Sequence, residues 1–247
     1  MKGKKIPLLI GRHVVLEYMK EGKSIDKIFL QAGLGGSAIQ EMIQIARAED
    51  IPISKVPVQK LDRLSRGNHQ GVVAFVSEIQ FQKIENLIPH FYEQGITPLL
   101  LLLDGVTDVR NFGGIARSAE VMGAHAIVVP LKNSAPVSSD AIKTSAGALL
   151  RIPVCRTSNW KETIRELQMN GIQVIAAEGK ATMSIREVNW KTPSALVMGA
   201  EGAGVSGDTL KTADHLVKIP QSGATESLNV SVACGIILYE ASIQRTD

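Results

Sequence analysis

The stretch "LLLLLDGVTDVRNFGGIARSAEVMGAHAIVVP", Leu99 to Pro130, decides how the rest of the chain is read. An apolar run, Leu99–Leu103, ends in Asp104, and a loop carrying Asn111 and the pair Gly113-Gly114 follows. A helical pattern from about Ile115 buries Ile115, Ala119 and Met122, and a second apolar run opens at Ala126. Near-continuous apolar strands separated by helices predict an α/β fold with a parallel sheet covered on both faces. The loop fails as a dinucleotide fingerprint, because a bare glycine pair lacks the G-x-G-x-x-G spacing. Arg117 and Glu120, three residues apart, share a helix face and can pair.

Working outward, the same unit recurs. Further strands are predicted at Ala126–Val129, Ile152–Cys155, Gln173–Ala176, Ala195–Met198 and Leu216–Ile219, with helices between them and from about Ser227 to Ser242. Ahead of Leu99, a polar stretch over 78–95 holds "ENLIPHFYEQG", read as a helix joining two parts. Residues 1–77 form a smaller α/β unit. Helical spacing in "GRHVVLEYMKEG" and "GGSAIQEMIQIARAED" alternates with strand patterns in "IDKIFLQ", "IPISKVP" and "QGVVAFVSEI". This predicts an α/β/α sandwich. The organisation is therefore a domain over 1–77, a linker over 78–95 and a larger domain over 96–247.

Of the 247 residues, 45% are apolar and 21% charged, as in globular proteins. No apolar run approaches the ~20 residues that span a bilayer. The basic start "MKGKKIPLLIGRH" holds an apolar run too short for a signal peptide. A cytoplasmic protein with no membrane partner is expected. Cys155 and Cys234 lie far apart in apolar surroundings, so buried thiols are expected rather than a disulfide or a metal site. Residues 1–76 carry 12 Lys and Arg against 7 Asp and Glu, a balance of +5; the remainder carries 15 against 17, a balance of −2. A basic N-terminal part on a near-neutral body suits a module that grips nucleic acid.

Three loops follow predicted strands, and ligands gather beyond the carboxyl ends of parallel strands. The first is the opening stretch. The second, "LVMGAEGAGVS" (Leu196 to Ser206), brackets Glu201 with Gly199, Gly202 and Gly204. Bare backbone there lets a ligand come close, and the glutamate suits an adenosine-type ligand with a cationic part better than a phosphate. The third, "KIPQSGATESLNVSVACGIILYEA" (Lys218 to Ala241), runs from a strand through a polar loop into a helix that Ser227 or Thr225 could cap.

Together the three loops resemble the signature motifs of the SpoU (TrmH-type) family of RNA ribose 2'-O-methyltransferases, in the SPOUT superfamily. The matching residues are Asn111, Gly113, Arg117 and Glu120; Gly199, Glu201, Gly202 and Gly204; and Ile219, Pro220, Gly223, Glu226, Ser227, Leu228 and Asn229. "GRHVVLEYM" and "NHQGVVAFV" are similar to the ribosomal-protein-L30e-like substrate-binding domain of one branch. That branch methylates a guanosine ribose in the peptidyl-transferase region of 23S ribosomal RNA.

The resemblance implies a parallel-sheet domain with a C-terminal trefoil knot, which periodicity cannot indicate and ordinary topology disfavours. It implies a homodimer and S-adenosylmethionine as cofactor, with no metal. Gly199, Glu201, Gly202, Gly204, Ile219 and Leu228 would bind the cofactor. Arg117, Asn111, Glu201, Ser227 and Asn229 would be catalytic, and Arg12, His13 and Arg117 would contact RNA. Lys4, Lys5, Arg63 and Arg66 would add phosphate contacts. Gly113-Gly114 would let the RNA pass close to the backbone. The family reading makes the motif-one arginine the base, yet a guanidinium is rarely deprotonated, so Arg117 fits a phosphate anchor or oxyanion stabiliser as well. A transfer RNA substrate, or a non-catalytic RNA-binding assembly role, are the alternatives.

Overall fold

The computed structural model describes residues 8–225 and 227–246. Lys4, Lys5 and Glu226 lie outside these. The described chain divides into two compact units, one running to Gln80 and including Val137–Ser139, the other formed by the rest.

The first unit contains β1 (Leu8–Ile10), α1 (Arg12–Lys20), β2 (Ile25–Gln31), α2 (Ser37–Ala48), β3 (Ile53–Val56), α3 (Val58–Leu64) and β4 (Val72–Val76). Its sheet order is β1-β4-β2-β3, with β4 antiparallel to β1 and β2, and β3 parallel to β2. Strand alternation sorts the core into two layers. Ile28, Leu30, Val72 and Ala74 pack with Val15 and Met19 of α1 and Ile39 and Met42 of α2. Phe29 and Val73 point the other way, onto Leu61 of α3. The chain enters β4 through a tight left-handed turn. Gln70 and Gly71 have φ of 47° and 79°, and the Val72 N–H donates to the His69 carbonyl at 2.8 Å. A side chain on Gly71 would begin 2.7 Å from Leu34 Cδ2 and would have to adopt a φ of 79°, so glycine is favoured there. His69 is fixed beside it: Nδ1 accepts the Gly71 N–H and Nε2 bonds Asp62, both at 2.9 Å.

The second unit begins before the predicted domain edge. The stretch read as a linker carries α4 (Ile84–Glu93), whose Ile84, Ile88 and Phe91 are buried in this unit's core. Then come β5 (Leu99–Asp104), α5 (Val109–Val121), β6 (Ala126–Pro130), α6 (Ser139–Thr144), β7 (Val154–Thr157), α7 (Trp160–Met169), β8 (Gln173–Ala177), β9 (Met183–Ser184), β10 (Ser194–Gly199), α8 (Gly207–Thr212), β11 (His215–Lys218) and α9 (Val230–Thr246). All pairings are parallel, in the order β7-β6-β5-β10-β8-β11-β9. The five leucines of β5 are buried to within 1% of complete. Leu100 and Leu102 pack toward α4 and α7, with Ile88, Phe91 and Ile164. Fully burying one such side chain contributes about 1.5–3 kcal/mol.

The central strand pair is β5–β10. The chain lays β5, β6 and β7 outward on one side, crosses over to β8, and later inserts β10 between β8 and β5. The carboxyl ends of β5, β10, β8 and β11 thus open on one rim. β7 starts two residues later than predicted because Pro153 has no N–H for the ladder. Met122 is half-buried rather than buried. Among the described residues, no helix is long and apolar enough to cross a membrane.

Candidate active site

α5 starts earlier than its apolar pattern suggests. Asp108 is the N-cap: its carboxylate accepts the N–H groups of Arg110 at 2.9 Å and Asn111 at 2.8 Å. The predicted loop Val109–Gly114 is therefore the first turn and a half of the helix, and Asn111 is held rigidly. The glycine pair has a packing role, not the predicted open approach to RNA. A Cβ on Gly113 would stand 2.6 Å from Thr144 Cβ and 3.0 Å from the Ala141 carbonyl, and one on Gly114 would stand 3.3 Å from Ser231 Cβ. The missing side chains let α6 and α9 close onto α5.

The second loop folds back on itself. Ala200 and Gly204 exchange both backbone hydrogen bonds, at 3.0 and 2.8 Å. Gly199 lies beneath this closure, where a Cβ would fall 2.0 Å from the Gly204 carbonyl carbon. Gly202 and Gly204 have φ of 83° and 69°, which glycine adopts without penalty. The loop is braced from β5: Asp104 accepts the Ser206 N–H at 2.9 Å and the Thr209 hydroxyl at 2.7 Å.

The third loop leads into α9, and here the cap differs from expectation. α9 starts at Val230, and Asn229 caps it, accepting the Ser231 N–H at 2.9 Å and hydroxyl at 2.6 Å. Ser227 and Thr225 stand too far ahead of Val230 to cap it.

A chain of hydrogen bonds joins the three loops. The Asn229 side-chain amide donates to Asn111 Oδ1 at 3.0 Å, and the Asn111 amide donates to Glu201 at 2.8 Å. Beside this chain lies a cavity of about 230 Å³. Gly199, Glu201, Gly202, Gly204, Ile219, Ser227 and Leu228 all line it. Its walls mix bare backbone with apolar groups such as Val217, Val230 and Ile237, and two carboxylates, Glu178 and Glu201, border it. Such a site suits a flat heteroaromatic ring with a cationic substituent.

Glu178 and Gly179 were missed by sequence reasoning. They follow β8 as the three loops follow their strands, and that same rule would have found them. Arg117 is exposed on α5, does not line the cavity, and has no hydrogen bond or ion pair among the described residues. Its expected partner is engaged elsewhere. Glu120 accepts Arg151 Nε at 2.7 Å and Nη2 at 3.4 Å, and this pair holds the Glu120 carboxyl below its ordinary range. Arg12 and His13 open α1 in the first unit; Arg12 reaches the Gln70 carbonyl at 3.5 Å and His13 is exposed. Arg63 and Arg66 are exposed near the end of α3. Both cysteines are buried and free; burial, with Glu85 nearby, pushes the Cys155 thiol up to about 12, and burial raises Cys234 as well.

A parallel α/β sheet whose carboxyl rim carries a cavity lined by the second and third loops, with the first loop bonded alongside through Asn111, agrees with the layout expected of a SPOUT-type methyltransferase. Residues 98–239 match the SpoU rRNA Methylase family, and residues 8–82 match the family described as RNA 2'-O ribose methyltransferase substrate binding. A 23S rRNA (guanosine-2'-O-)-methyltransferase, RlmB, from Ralstonia nicotianae is 37% identical over 98% of this chain and 97% of its own. YacO of Bacillus subtilis, grouped with the TrmH family tRNA/rRNA methyltransferases, is 34% identical over 96% of this chain and 95% of its own. Among solved structures, the AdoMet-bound rRNA methyltransferase from Sinorhizobium meliloti superposes with a TM-score of 0.59 at 26% identity, covering 95% of this chain and 85% of that one. The SpoU methyltransferase AviRb from Streptomyces viridochromogenes gives 0.61 at 24% identity, covering 97% and 90%, a likeness of fold. The chain belongs to the SpoU rRNA Methylase family. It is an S-adenosylmethionine-dependent RNA methyltransferase acting on ribose 2'-hydroxyls.

Proposed function

We propose that this protein methylates the ribose 2'-hydroxyl of a guanosine in the peptidyl-transferase region of 23S ribosomal RNA. The observation that carries the chemistry is a cavity lined by the second and third loops, with the first loop tied to its border through Asn111, which bonds both Glu201 and Asn229. The ribosomal substrate is supported by the Ralstonia relative, alike over nearly the whole of both chains. Residues 1–77 serve as an L30e-like RNA-binding domain and 96–247, joined by α4 from the connecting stretch 78–95, as the catalytic domain, its C-terminal part threaded as a trefoil knot. The late insertion of β10 between β5 and β8 is compatible with that threading.

The cavity residues fit S-adenosylmethionine. Backbone groups from Gly199 to Gly204, with the apolar side chains of Ile219 and Leu228, would hold its adenosine part. Glu178 and Glu201 supply negative charge for a sulfonium. When bound, the cofactor supplies an electrophilic methyl group. Asn111, Ser227 and Asn229 orient the ribose, with Asn111 and Glu201 locked together. Arg117, without a partner among the described residues, forks a phosphate or stabilises the developing alkoxide. Arg12 and His13 extend the RNA contact on the first domain.

The protein works as a homodimer. Val232, Ile236, Tyr239 and Ile243 recur at four-, three- and four-residue steps on α9 and all are exposed, a stripe that a second copy would cover. Arg117, outside the cavity of its own chain, meets substrate at a site completed by the partner.

The test is mapping of 2'-O-methyl groups on total RNA with and without the protein. Loss of one 23S guanosine methyl is expected. Loss of a transfer RNA methyl instead would overturn the substrate, and no loss at all would favour the non-catalytic alternative.

A further inference from the structure

Glu120 is part of motif one, yet the chemistry makes no use of it. It follows Arg117 by three residues on α5, close enough for the two to pair. Such a pair would seat a carboxylate on the guanidinium that meets the RNA. In the structure both Glu120 oxygens are engaged by Arg151, through Nε at 2.7 Å and Nη2 at 3.4 Å.

The segment that delivers Arg151 is tightly determined. Ser145 is fully buried; its hydroxyl donates to the Ile142 carbonyl at 2.9 Å and accepts the Leu149 N–H at 3.3 Å. Ala146 and Gly147 follow with φ of 50° and 81°. An alanine in that left-handed region is disfavoured and persists only where its surroundings impose it. The reversal sends the short 3-10 turn Ala148–Leu150 back along α5, with Arg151 next in line over Glu120. A Cβ on Gly147 would stand 3.5 Å from Arg151 Nη1, so the side chain runs beside the bare glycine.

We propose that Arg151 is a positioning residue of the active site. By occupying both oxygens of Glu120 it keeps that carboxylate off Arg117, whose donors stay available for RNA phosphate or the developing alkoxide. This inference rests on the role given to Arg117 above.

The experiment compares methyl transfer to RNA by Arg151→Met, the double variant Arg151→Met/Glu120→Gln, and Arg117→Ala, with cofactor affinity measured in parallel by calorimetry. Arg151→Met is expected to lower kcat/KM for RNA roughly two- to fivefold, the scale of an exposed ion pair, with cofactor affinity unchanged. The double variant is expected to return to wild-type turnover, because a neutral amide at position 120 no longer competes for Arg117. A double variant as slow as Arg151→Met overturns the inference, since Arg151 would then act by touching RNA or by holding the turn. Wild-type rates in Arg151→Met overturn it too. If Arg151→Met does not fold, Arg151→Leu, with and without Glu120→Gln, carries the same comparison. Full activity in Arg117→Ala would sink the underlying reading instead, whatever Arg151 does.

Discussion

The two ends of β5 are built from the same strand and used in opposite ways. At the amino end, polar side chains are spent on the backbone. His125 Nδ1 accepts the Leu99 N–H at 3.0 Å, and the His125 backbone N–H donates to the Leu99 carbonyl at 2.8 Å. Arg245, near the end of α9, donates to the carbonyls of Thr97, Pro98 and Thr192 at 2.7 to 3.0 Å. At the carboxyl end, Asp104 and Asp108 brace the loops, and the groups beyond them bond one another around an open cavity. The cavity at the amino end is larger, about 500 Å³ against about 230 Å³. Size therefore does not identify the site. The carboxyl rim is lined by glycine backbone and two carboxylates, whereas Arg245 and His125 at the amino rim already serve the fold.

Substitutions at the two ends should separate function from stability. The largest effect is expected of Arg117→Ala: turnover on RNA falls by at least ~10²-fold, the scale of removing one group that stabilises developing charge. Cofactor affinity by calorimetry stays within about twofold, because Arg117 does not line the cavity. Near-normal methylation would remove Arg117 from the mechanism. Gly199→Ala comes next. Its Cβ would overlap the Gly204 and Val205 backbone, so the loop must open and cofactor binding should weaken by at least ~10²-fold while the fold persists. Unchanged affinity would show that the closed loop is not the cofactor's seat. Arg245→Met then probes the other end. It strips three carbonyls of a charged donor and should cost about 2–3 kcal/mol in urea unfolding, with cofactor affinity little changed in the folded protein. A stable variant that has lost cofactor binding would contradict the division between the ends.

The same division marks what the sequence could reveal. Strands made of continuous apolar residues, such as Leu99–Leu103 and Ala126–Val129, were legible because burial on both faces leaves a local pattern. So were the cavity residues, since Gly199, Gly202, Gly204, Ile219 and Leu228 cluster in short motifs. Spatial partners were not legible. Glu120 meets Arg151, 31 positions away, rather than Arg117 three away, because a packed turn delivers Arg151 to it. The start of α5 was misjudged because apolar spacing begins at Phe112 and Ile115, whereas Asp108 sets the helix start through two hydrogen bonds. Gly113-Gly114 suggested an open loop, but only the positions of Thr144 and Ser231 disclose that helices pack against them. The insertion of β10 beside β5 is equally non-local.

The smallest effect concerns His125 at the amino end. Burial, and then the positive charge of Arg245, hold its imidazole below the ordinary value of 6.5. The bond from the Leu99 N–H requires Nδ1 without a proton, so it too favours the neutral ring. Phe91 packs against the ring at 5.6 Å between centroids, and Lys191 borders the same cavity, adding no negative charge. The unfolded chain protonates this histidine near 6.5, whereas the folded chain resists until lower pH. Between those values the unfolded state holds more protons, so stability must fall as the pH drops below 6.5 and level off beneath the folded value. Urea unfolding of the wild type from about pH 8 to about pH 5 should show this decline, and His125→Gln, which keeps an acceptor for Leu99 but does not titrate, should flatten part of it. The same slope in both proteins would place the titrating group elsewhere. Cofactor affinity should follow neither the slope nor the substitution, because His125 stands at the end of β5 that does no chemistry.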